Sequence, residues 1–542
     1  MRQGTFRQVQ VSVIYPIILA MIVLFLFLTG APTQDAFSWP DAPRHALNGA
    51  FMLDFFRAMP LRNPAAFAYN YYAQYPALTI LFYPPLFYLF LVPFYALFGV
   101  SQTSALAAEF VCYVALAVGS YRIARFWLSP TLAFGSTLIF VAAPEVAYWG
   151  RQVMLEIPAF ALLAWSFYYF LRYLNEDRIK ALYAAAVFFV LAMYTKSTVV
   201  FAAPVYLILL YRLRGQAMFR QRHYYIIAGL AIVGLVPLAI LTLKFGQANV
   251  QSVSGIADES VSRLSLGGWT WYAQKLPLQM GWPGFLASII GLMAVLCNRK
   301  QSSALAPMLL WLVVAYVFFS AIDLKLARYT IFLLLPLSIV GVSGITGLLQ
   351  KWPHAVGAVI AAIGLASLGI TYFQRPVQYV AGYREVADYI AGIAPRDSVV
   401  AFSGYRDGSF IFAMRTHEER RDLSIVRADK LMLQISVRRG LGVKQNIMSE
   451  AEIGQLLDGN GIRFVVAQPG FWNDLEAMRR FNDVLLSNHF QLVRTFPTPA
   501  NYPSQEQELA VYRNLGRVAK GPIHMNINIP MISKVISGTV GK

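Results

Sequence analysis

Long apolar runs separated by short polar turns fill the first two thirds of the chain. Runs long enough to cross ~30 Å of hydrocarbon lie near residues 11–29, 104–126, 130–148, 154–174, 179–195, 197–211, 224–245, 280–297, 304–321, 326–348 and 353–373. One more, 76–98, is apolar but interrupted by Pro84, Pro85 and Pro93. Proline lacks an amide donor and breaks helical hydrogen bonding, so this run is read as re-entrant or interfacial rather than as a full span. The first run is read as a retained anchor, because its apolar core is long for a cleaved leader.

The polar turns carry a second pattern. Arg2 and Arg7 precede the first run; Arg122 and Arg125, then Arg172, Arg178 and Lys180, then Arg212, Arg214, Arg220 and Arg222, then Arg299 and Lys300, and finally Lys351 follow others. All fall on one side if the unbroken runs cross and 76–98 does not, which satisfies the positive-inside tendency. The N-terminus is then cytoplasmic. The segment 30–75, the turn Arg151–Glu156, the turn at Lys196, the loop 246–279, the turn Asp323–Arg328 and everything after residue 374 face outward.

After residue 374 the period changes. "REVADYIAGIAPRDSVVAFSG" reads as a helix, a turn with Pro395 and a strand; "SEAEIGQLLDGNGIRFVVAQ" repeats this, with Ser449 and Glu452 as a capping box. "DLEAMRRFNDVLLSNHFQLVRTF" adds a helix and a strand, and "QELAVYRN" a further strand. Alternating helix and strand predicts a small α/β domain with a mostly parallel sheet. The predicted organisation is a polytopic α-helical membrane unit of about 11–13 helices over 1–375, a soluble α/β domain over 376–516, and a weakly patterned tail over 517–542.

Composition agrees with this class. The chain has 542 residues, of which 57% are hydrophobic and 13% charged, against roughly 25% charged in soluble proteins. The net charge of +18 is spread through the turns, not gathered into an arm that would bind nucleic acid. Cys112 and Cys297 both lie inside apolar runs, which excludes a disulfide framework or a CxxC metal site.

An ionisable residue beside a span is costly and therefore a functional candidate. Asp41, Arg44, His45 and Asn48 recur at i, i+3, i+4 and i+7 and share one helix face. Ser38-x-x-Asp41 also matches a capping box, in which the carboxylate serves only backbone amides. Glu156 opens a span after Arg151; as a first-turn acid it is also favoured by the helix dipole. Lys196 occupies a tight turn, where snorkelling is the plain alternative. Asp323, Lys325 and Arg328 open another span, and cations there oppose the dipole, which a bound phosphate would explain. Glu109 and Glu145 are further near-membrane acids without an evident partner. An acid to accept a proton and cations to stabilise a departing phosphate suit group transfer from a lipid-linked phosphate. A single displacement at a sugar carbon would invert the anomeric centre, by analogy with inverting glycosidases.

The Asp-x-x-Arg of the first outer loop, "YPPLFYLF", "GRQVMLEIPAFAL" and "ARYTIFLLLP" together resemble the polytopic GT-C glycosyltransferases of family 39, over about residues 10–375. That group includes protein O-mannosyltransferases and lipid A aminoarabinose transferases. The resemblance implies a polyprenyl-phosphate sugar donor, a catalytic Asp41, an acidic Glu156 in the second outer loop that is counted with Asp41 as catalytic, and basic residues around the lipid phosphate at Arg44 and Arg328. His45, Tyr83, Arg151, Lys196, Lys325 and Tyr329, inside or beside these motifs, complete the substrate-binding candidates. Many relatives have Asp-Glu where this chain has Asp41-Ala42, so a divalent metal is not indicated and the cofactor is unknown. Tyr83 stands where the aminoarabinose enzymes carry lysine and the protein mannosyltransferases histidine, and the Gly-Lys that follows in the latter is absent, so neither subgroup can be claimed. The acceptor is left open among lipid A or another glycolipid, polysaccharide and protein. The implied location is a bacterial inner membrane, with the C-terminal domain in the periplasm. A transporter or flippase of a lipid-linked anion is the alternative; it predicts mid-span acids and internal repeats, and no repeat is evident. A third reading makes the membrane unit an anchor for a working α/β domain, in which no site is recognisable.

Overall fold

The computed structural model describes residues 2–253, 261–374, 376–435, 439–521, 523–529 and 534–540. Among these, seven helices are long and apolar enough to cross a membrane: Val13–Gly30, Gln102–Ala124, Glu156–Glu176, Ser197–Arg220, Arg222–Gly246, Ala327–Leu348 and Pro353–Gln374. Leu86–Phe98, Pro130–Val141, Ile179–Met193, Trp282–Cys297 and Ala306–Ser320 are shorter apolar helices. Every unbroken run thus nucleates a helix. The run 130–148 differs from a single span, because Pro144 begins a separate short helix, Pro144–Trp149. In the proline-broken run only Leu86–Phe98 is helical, with Pro93 inside it.

Apolar residues face both lipid and bundle, so small residues decide how closely helices approach. Trp282–Cys297 and Leu334–Leu348 meet backbone to backbone: a Cβ at Gly291 would overlap the Gly341 carbonyl, and one at Gly344 the Gly291 carbonyl. The loop between the first two spans is itself built of helices, Asp41–Ala58 and Pro64–Gln74.

The C-terminal region begins as the sequence predicts. Tyr383–Ile393 precedes β1 (Val399–Ser403), and β2 (Ser424–Arg427) follows helix Asp407–Thr416. A short pair, β3 (Leu433–Ile435) and β4 (Val443–Gln445), leads to the capped helix Glu450–Gly459 and β5 (Ile462–Ala467). The capping box is present, with the Ser449 amide 2.7 Å from Glu452 Oε2 and the Glu452 amide 3.3 Å from Ser449 Oγ. Helix Glu476–Leu486, β6 (Phe490–Pro497) and β7 (Glu508–Asn514) complete a five-stranded sheet of order β2-β1-β5-β7-β6. The sheet is mixed rather than mostly parallel: β2, β1 and β5 run parallel, while β7 is antiparallel to both β5 and β6. No helix separates β6 from β7, so the chain turns straight back instead of making the crossover that parallel pairing requires. The segment predicted as a weakly patterned tail contains a hairpin, β8 (Ile523–Ile529) with β9 (Lys534–Val540), lying against Pro64–Gln74.

The two ends of the helix bundle differ. At one end, Trp127 and the helix ends carrying Asn175, Arg212 and Ser303 meet; Asp177 pairs with Arg214, and Trp127 donates to the Ala304 carbonyl. At the other end the mixed sheet docks on the helices of the first loop. Arg415, fully buried, makes a bidentate pair with Asp54 at 2.7–2.9 Å, and Arg421 joins the same carboxylate. Gln74 donates to the Arg421 and Leu423 carbonyls, and Arg384 pairs with Asp35.

Candidate functional site

The site lies at this second end, under the docked domain. Helix Asp41–Ala58 has Pro40 as its N-cap, with no side-chain cap. The predicted capping box is therefore absent. Ser38 Oγ bonds the Tyr148 hydroxyl at 3.1 Å, and Asp41 Oδ2 accepts from Trp39 Nε1 at 3.1 Å. Asp41 thus keeps its carboxylate free of backbone amides.

Arg328 comes to it from the 3₁₀ turn Ala327–Leu333, held by Gln279 Nε2 on the Ala327 carbonyl (2.7 Å) and by Trp311 Nε1 on the Phe332 carbonyl (2.9 Å). Its guanidinium is 3.6 Å from Asp41 Oδ2 and 3.5 Å from Glu156 Oε1. It lies over the rings of Trp39 (5.0 Å) and Trp149 (5.5 Å), which meet edge to face. Such cation–π contacts hold a guanidinium without spending its hydrogens. The cation that opposes its own helix dipole is balanced here by two acids.

Glu156, the first residue of its span, is buried, and Lys196 Nζ reaches its Oε1 at 2.5 Å. Lys196 is positioned by an adjacent segment: the Leu86 amide donates to the Tyr194 carbonyl at 3.0 Å, joining the Lys196 turn to the Tyr83–Leu86 segment. Glu156 Oε2 and Arg328 Nε make no hydrogen bond among the described residues. The four charged side chains differ in exposure: Asp41 26%, Lys196 16%, Arg328 11% and Glu156 1%. Asp41 is the open one, and Glu156 sits beneath the two cations.

His45, one turn after Asp41, shares a 2.9 Å hydrogen bond between Nδ1 and the Tyr88 hydroxyl and packs edge-on against Tyr83 at 4.8 Å. Burial lowers its pKa to about 4 against the pull of Asp41 and Glu156, so it is neutral at pH 7. Burial likewise raises the Tyr83 phenol far above its usual range, leaving Tyr83 a hydrogen-bond donor. Tyr329 lies beneath both cations, 5.9 Å from Lys196 and 5.8 Å from Arg328.

The structure therefore brings together Asp41, His45, Tyr83, Glu156, Lys196, Arg328 and Tyr329. Three candidates fall elsewhere. Arg44 turns from the predicted face to the soluble domain, where its Nη2 binds both Asp407 oxygens at 2.7 and 2.9 Å. A buried carboxylate outcompetes solvent for it, and it is spent there. Arg427 joins the pair, and the two guanidiniums more than offset the effect of burial, holding Asp407 below the usual carboxylate range. Arg151 folds back so that Nε donates to the Ala147 carbonyl at 2.8 Å, with its guanidinium where a side chain at Gly30 would lie. Lys325 donates to the Ser320 carbonyl at 2.6 Å and also to that of Ile322, satisfying orphan carbonyls after helix Ala306–Ser320. Its place at a span opening is thus a C-terminal cap to the preceding helix.

Of the remaining acids, Glu145 accepts from Trp149 Nε1 at 2.7 Å, whereas fully buried Glu109 pairs with no cation among the described residues and has the Met154 backbone as its polar neighbour. Trp39 and Trp149 were not singled out from the sequence; their only signal is proximity to Asp41 and Glu156. Among the described residues, no group of three or more His, Cys, Asp or Glu side chains is arranged to hold a metal ion. The donor set around Asp41 is instead rich in cations, which does not fit a divalent metal.

Comparison with known proteins gives the setting. Residues 83–241 match the family model described as dolichyl-phosphate-mannose-protein mannosyltransferase. No curated protein sequence matches the chain. Among solved structures, ArnT from Cupriavidus metallidurans bound to undecaprenyl phosphate superposes with a TM-score of 0.62 at 15% identity, over 94% of this chain and 99% of that one. The oligosaccharyltransferase AglB from Archaeoglobus fulgidus, in complex with an inhibitory peptide and a dolichol-phosphate, gives 0.58 at 10% identity, over 91% and 75%. The arabinofuranosyltransferase AftD from Mycobacteria gives 0.52 at 13% identity, over 95% of this chain but 42% of its own. Identities this low speak for the fold, and the matched segment 83–241 contains Tyr83, Glu156 and Lys196 of the site. The chain is a polytopic membrane protein with the GT-C fold that these glycosyltransferase structures share.

Proposed function

We propose that the chain is an inverting glycosyltransferase that moves a sugar from a polyprenyl-phosphate donor to an acceptor hydroxyl or phosphate. The observation that carries this reading is the layering of the site: an accessible carboxylate, Asp41, next to Arg328 and Lys196, which are fixed by buried Glu156. Asp41 accepts the proton as an acceptor hydroxyl attacks the anomeric carbon. The bond from that carbon to the phosphate oxygen breaks, and polyprenyl phosphate leaves with the electron pair. Charge grows on the phosphate oxygens as it leaves, beside two cations that need no reorganisation to meet it. Glu156, proposed from sequence as a second catalytic acid, has the role of orienting those cations. Tyr83 and neutral His45 supply uncharged polar contacts to sugar hydroxyls. Gathering of these charges at one end of the bundle favours transfer over transport, which would place them near mid-span.

Basic helix ends at the opposite end of the bundle, taken with positive-inside bias, support a periplasmic site and C-terminal domain in a bacterial inner membrane. The fold of ArnT, whose structure holds undecaprenyl phosphate, supports the donor class. The test is release of polyprenyl phosphate from a panel of polyprenyl-phosphate sugars, wild type against Asp41→Asn. Loss of a general base costs about 10²–10⁴-fold, so the expected result is release by the wild type that falls by that factor in Asp41→Asn. Equal rates would remove Asp41 as the base.

A further inference from the structure

We infer that Arg406 and Asp407 are positioning residues for Asp41: the soluble domain serves the reaction by gripping the loop that carries the base on both sides. This rests on the reading of Asp41 given above.

Arg406 closes the turn after β1, a strand in the parallel part of the sheet, as the N-cap of helix Asp407–Thr416, and Asp407 opens that helix. Arg406 spends its guanidinium on two partners of its own domain and two of the loop. Nε donates to Glu506 Oε2 at 2.7 Å and Nη2 to the Tyr502 hydroxyl at 2.6 Å. Nη1 reaches across to the carbonyls of Ser38 (2.6 Å) and Phe37 (3.2 Å). The adjacent Asp407 binds Arg44 through both oxygens and is itself held by Arg427 at 2.7 Å. Consecutive residues at the start of one helix therefore hold Ser38, three residues before Asp41, and Arg44, three residues after it. Between them the Phe37 ring meets Phe412 edge-on at 5.5 Å, and a Cβ on Gly408 would come within 3.2 Å of Pro43. Arg406 and Asp407 side chains are both 9% exposed, so these contacts are shielded from solvent.

Asp41 needs such support. Its only hydrogen bond among the described residues comes from Trp39 inside the same loop, and its contact with Arg328 is a loose 3.6 Å. Trp39 also carries Arg328 on its ring. A shift of the 37–44 backbone would move the base and one wall of the cation site together, without touching Glu156 or Lys196. Displacement of about 1 Å at a reacting group costs on the order of 10²-fold.

The test compares wild type, Arg406→Leu, Arg406→Lys and Asp407→Asn as full-length proteins, with the polyprenyl-phosphate sugar the wild type hydrolyses fastest. Rates are taken per site that binds undecaprenyl phosphate, which removes unfolded protein from the count. The expected result is a kcat at least tenfold lower in Arg406→Leu with donor KM within threefold of wild type, an intermediate loss in Asp407→Asn, and partial rescue in Arg406→Lys. In an Asp41→Glu background, where the carboxylate is already displaced, Arg406→Leu costs less than a further threefold. An independent readout is the fluorine resonance of 5-fluorotryptophan at Trp39, assigned by its loss in Trp39→Phe: single in wild type, broadened or split in Arg406→Leu. A kcat within twofold of wild type, an equal loss in both Asp41 backgrounds, or an unchanged Trp39 resonance overturns the inference. Normal turnover by Asp41→Asn is a separate result that removes the base assignment itself. If Arg406→Leu does not fold, Arg406→Lys and Asp407→Asn carry the same comparisons.

Discussion

Replacing Glu156 by Gln keeps side-chain volume and removes one charge from a site that balances two acids against two cations. Stability and lipid affinity are expected to move in opposite directions. Lys196 Nζ is 2.5 Å and Arg328 Nε 3.5 Å from the same carboxylate oxygen, which is almost fully buried. Removing one partner of a buried pair costs about 3–5 kcal/mol; with Asp41 still beside Arg328, the lower figure applies. The two cations then exceed their partners by one charge. A phosphate about 5 Å from an uncompensated cation gains roughly 3 kcal/mol at an effective dielectric of ~20. Screening at the partly open site leaves about 1.4 kcal/mol, a tenfold gain in affinity. Glu156→Gln should therefore melt earlier in detergent, bind undecaprenyl phosphate about tenfold more tightly, and recover more melting temperature than wild type when that lipid is added, because a ligand that binds only the folded state stabilises it. Turnover should fall as the product is retained. The measurements are thermal unfolding with and without undecaprenyl phosphate, and its Kd by calorimetry. Binding to Glu156→Gln that is no tighter than to wild type would refute the assignment of these cations to the phosphate.

Other perturbations separate binding from structure. Arg328→Lys keeps the charge but loses the planar group held over Trp39 and Trp149; donor KM should rise about tenfold, and an unchanged KM in the rate assay would count against phosphate contact. Lys325→Met leaves the carbonyls of Ser320 and Ile322 unsatisfied; it should lower the melting temperature by the equivalent of about 1–3 kcal/mol while leaving donor KM alone, and a KM change would return Lys325 to the site. His45 ionises at about 4 in the fold against 6.5 when unfolded, so the unfolded chain binds more protons between those values and stability rises with pH across that window. Acidification from pH 6.5 toward 4 should remove up to about 3 kcal/mol of stability. Thermal scans of His45→Gln should lose that part of the pH dependence; an identical profile would show that other groups set it.

The first outer helix shows how far the chain could be read directly. The i, i+3, i+4, i+7 spacing placed Asp41, His45 and Asn48 on one face, and the structure sets them on Arg328, Tyr88 and Thr79. Arg44 shares the spacing but goes to Asp407, 363 residues away. Nothing local distinguishes a guanidinium aimed at a phosphate from one aimed at a distant carboxylate. Lys325 and Arg328 make the same point three residues apart: one caps the helix just ended, the other crosses to Glu156 and Asp41.

By itself, the sequence determined the apolar helices, the helices, strands and capping box of the C-terminal region, and the identity of the charged residues near the membrane. Each follows from local physics: apolar length against bilayer thickness, periodicity, and hydrogen bonds between residues three apart. Only the tertiary structure decided the mixed sheet, the aromatic pair around Arg328, the pairing of Lys196 with Glu156 and the grip of Arg406 and Asp407 on the Asp41 loop. These are contacts between segments far apart in the chain. A side chain's partner across such a distance is chosen by which buried charges and unsatisfied carbonyls the folded backbone brings within reach, and that is a property of the whole packing.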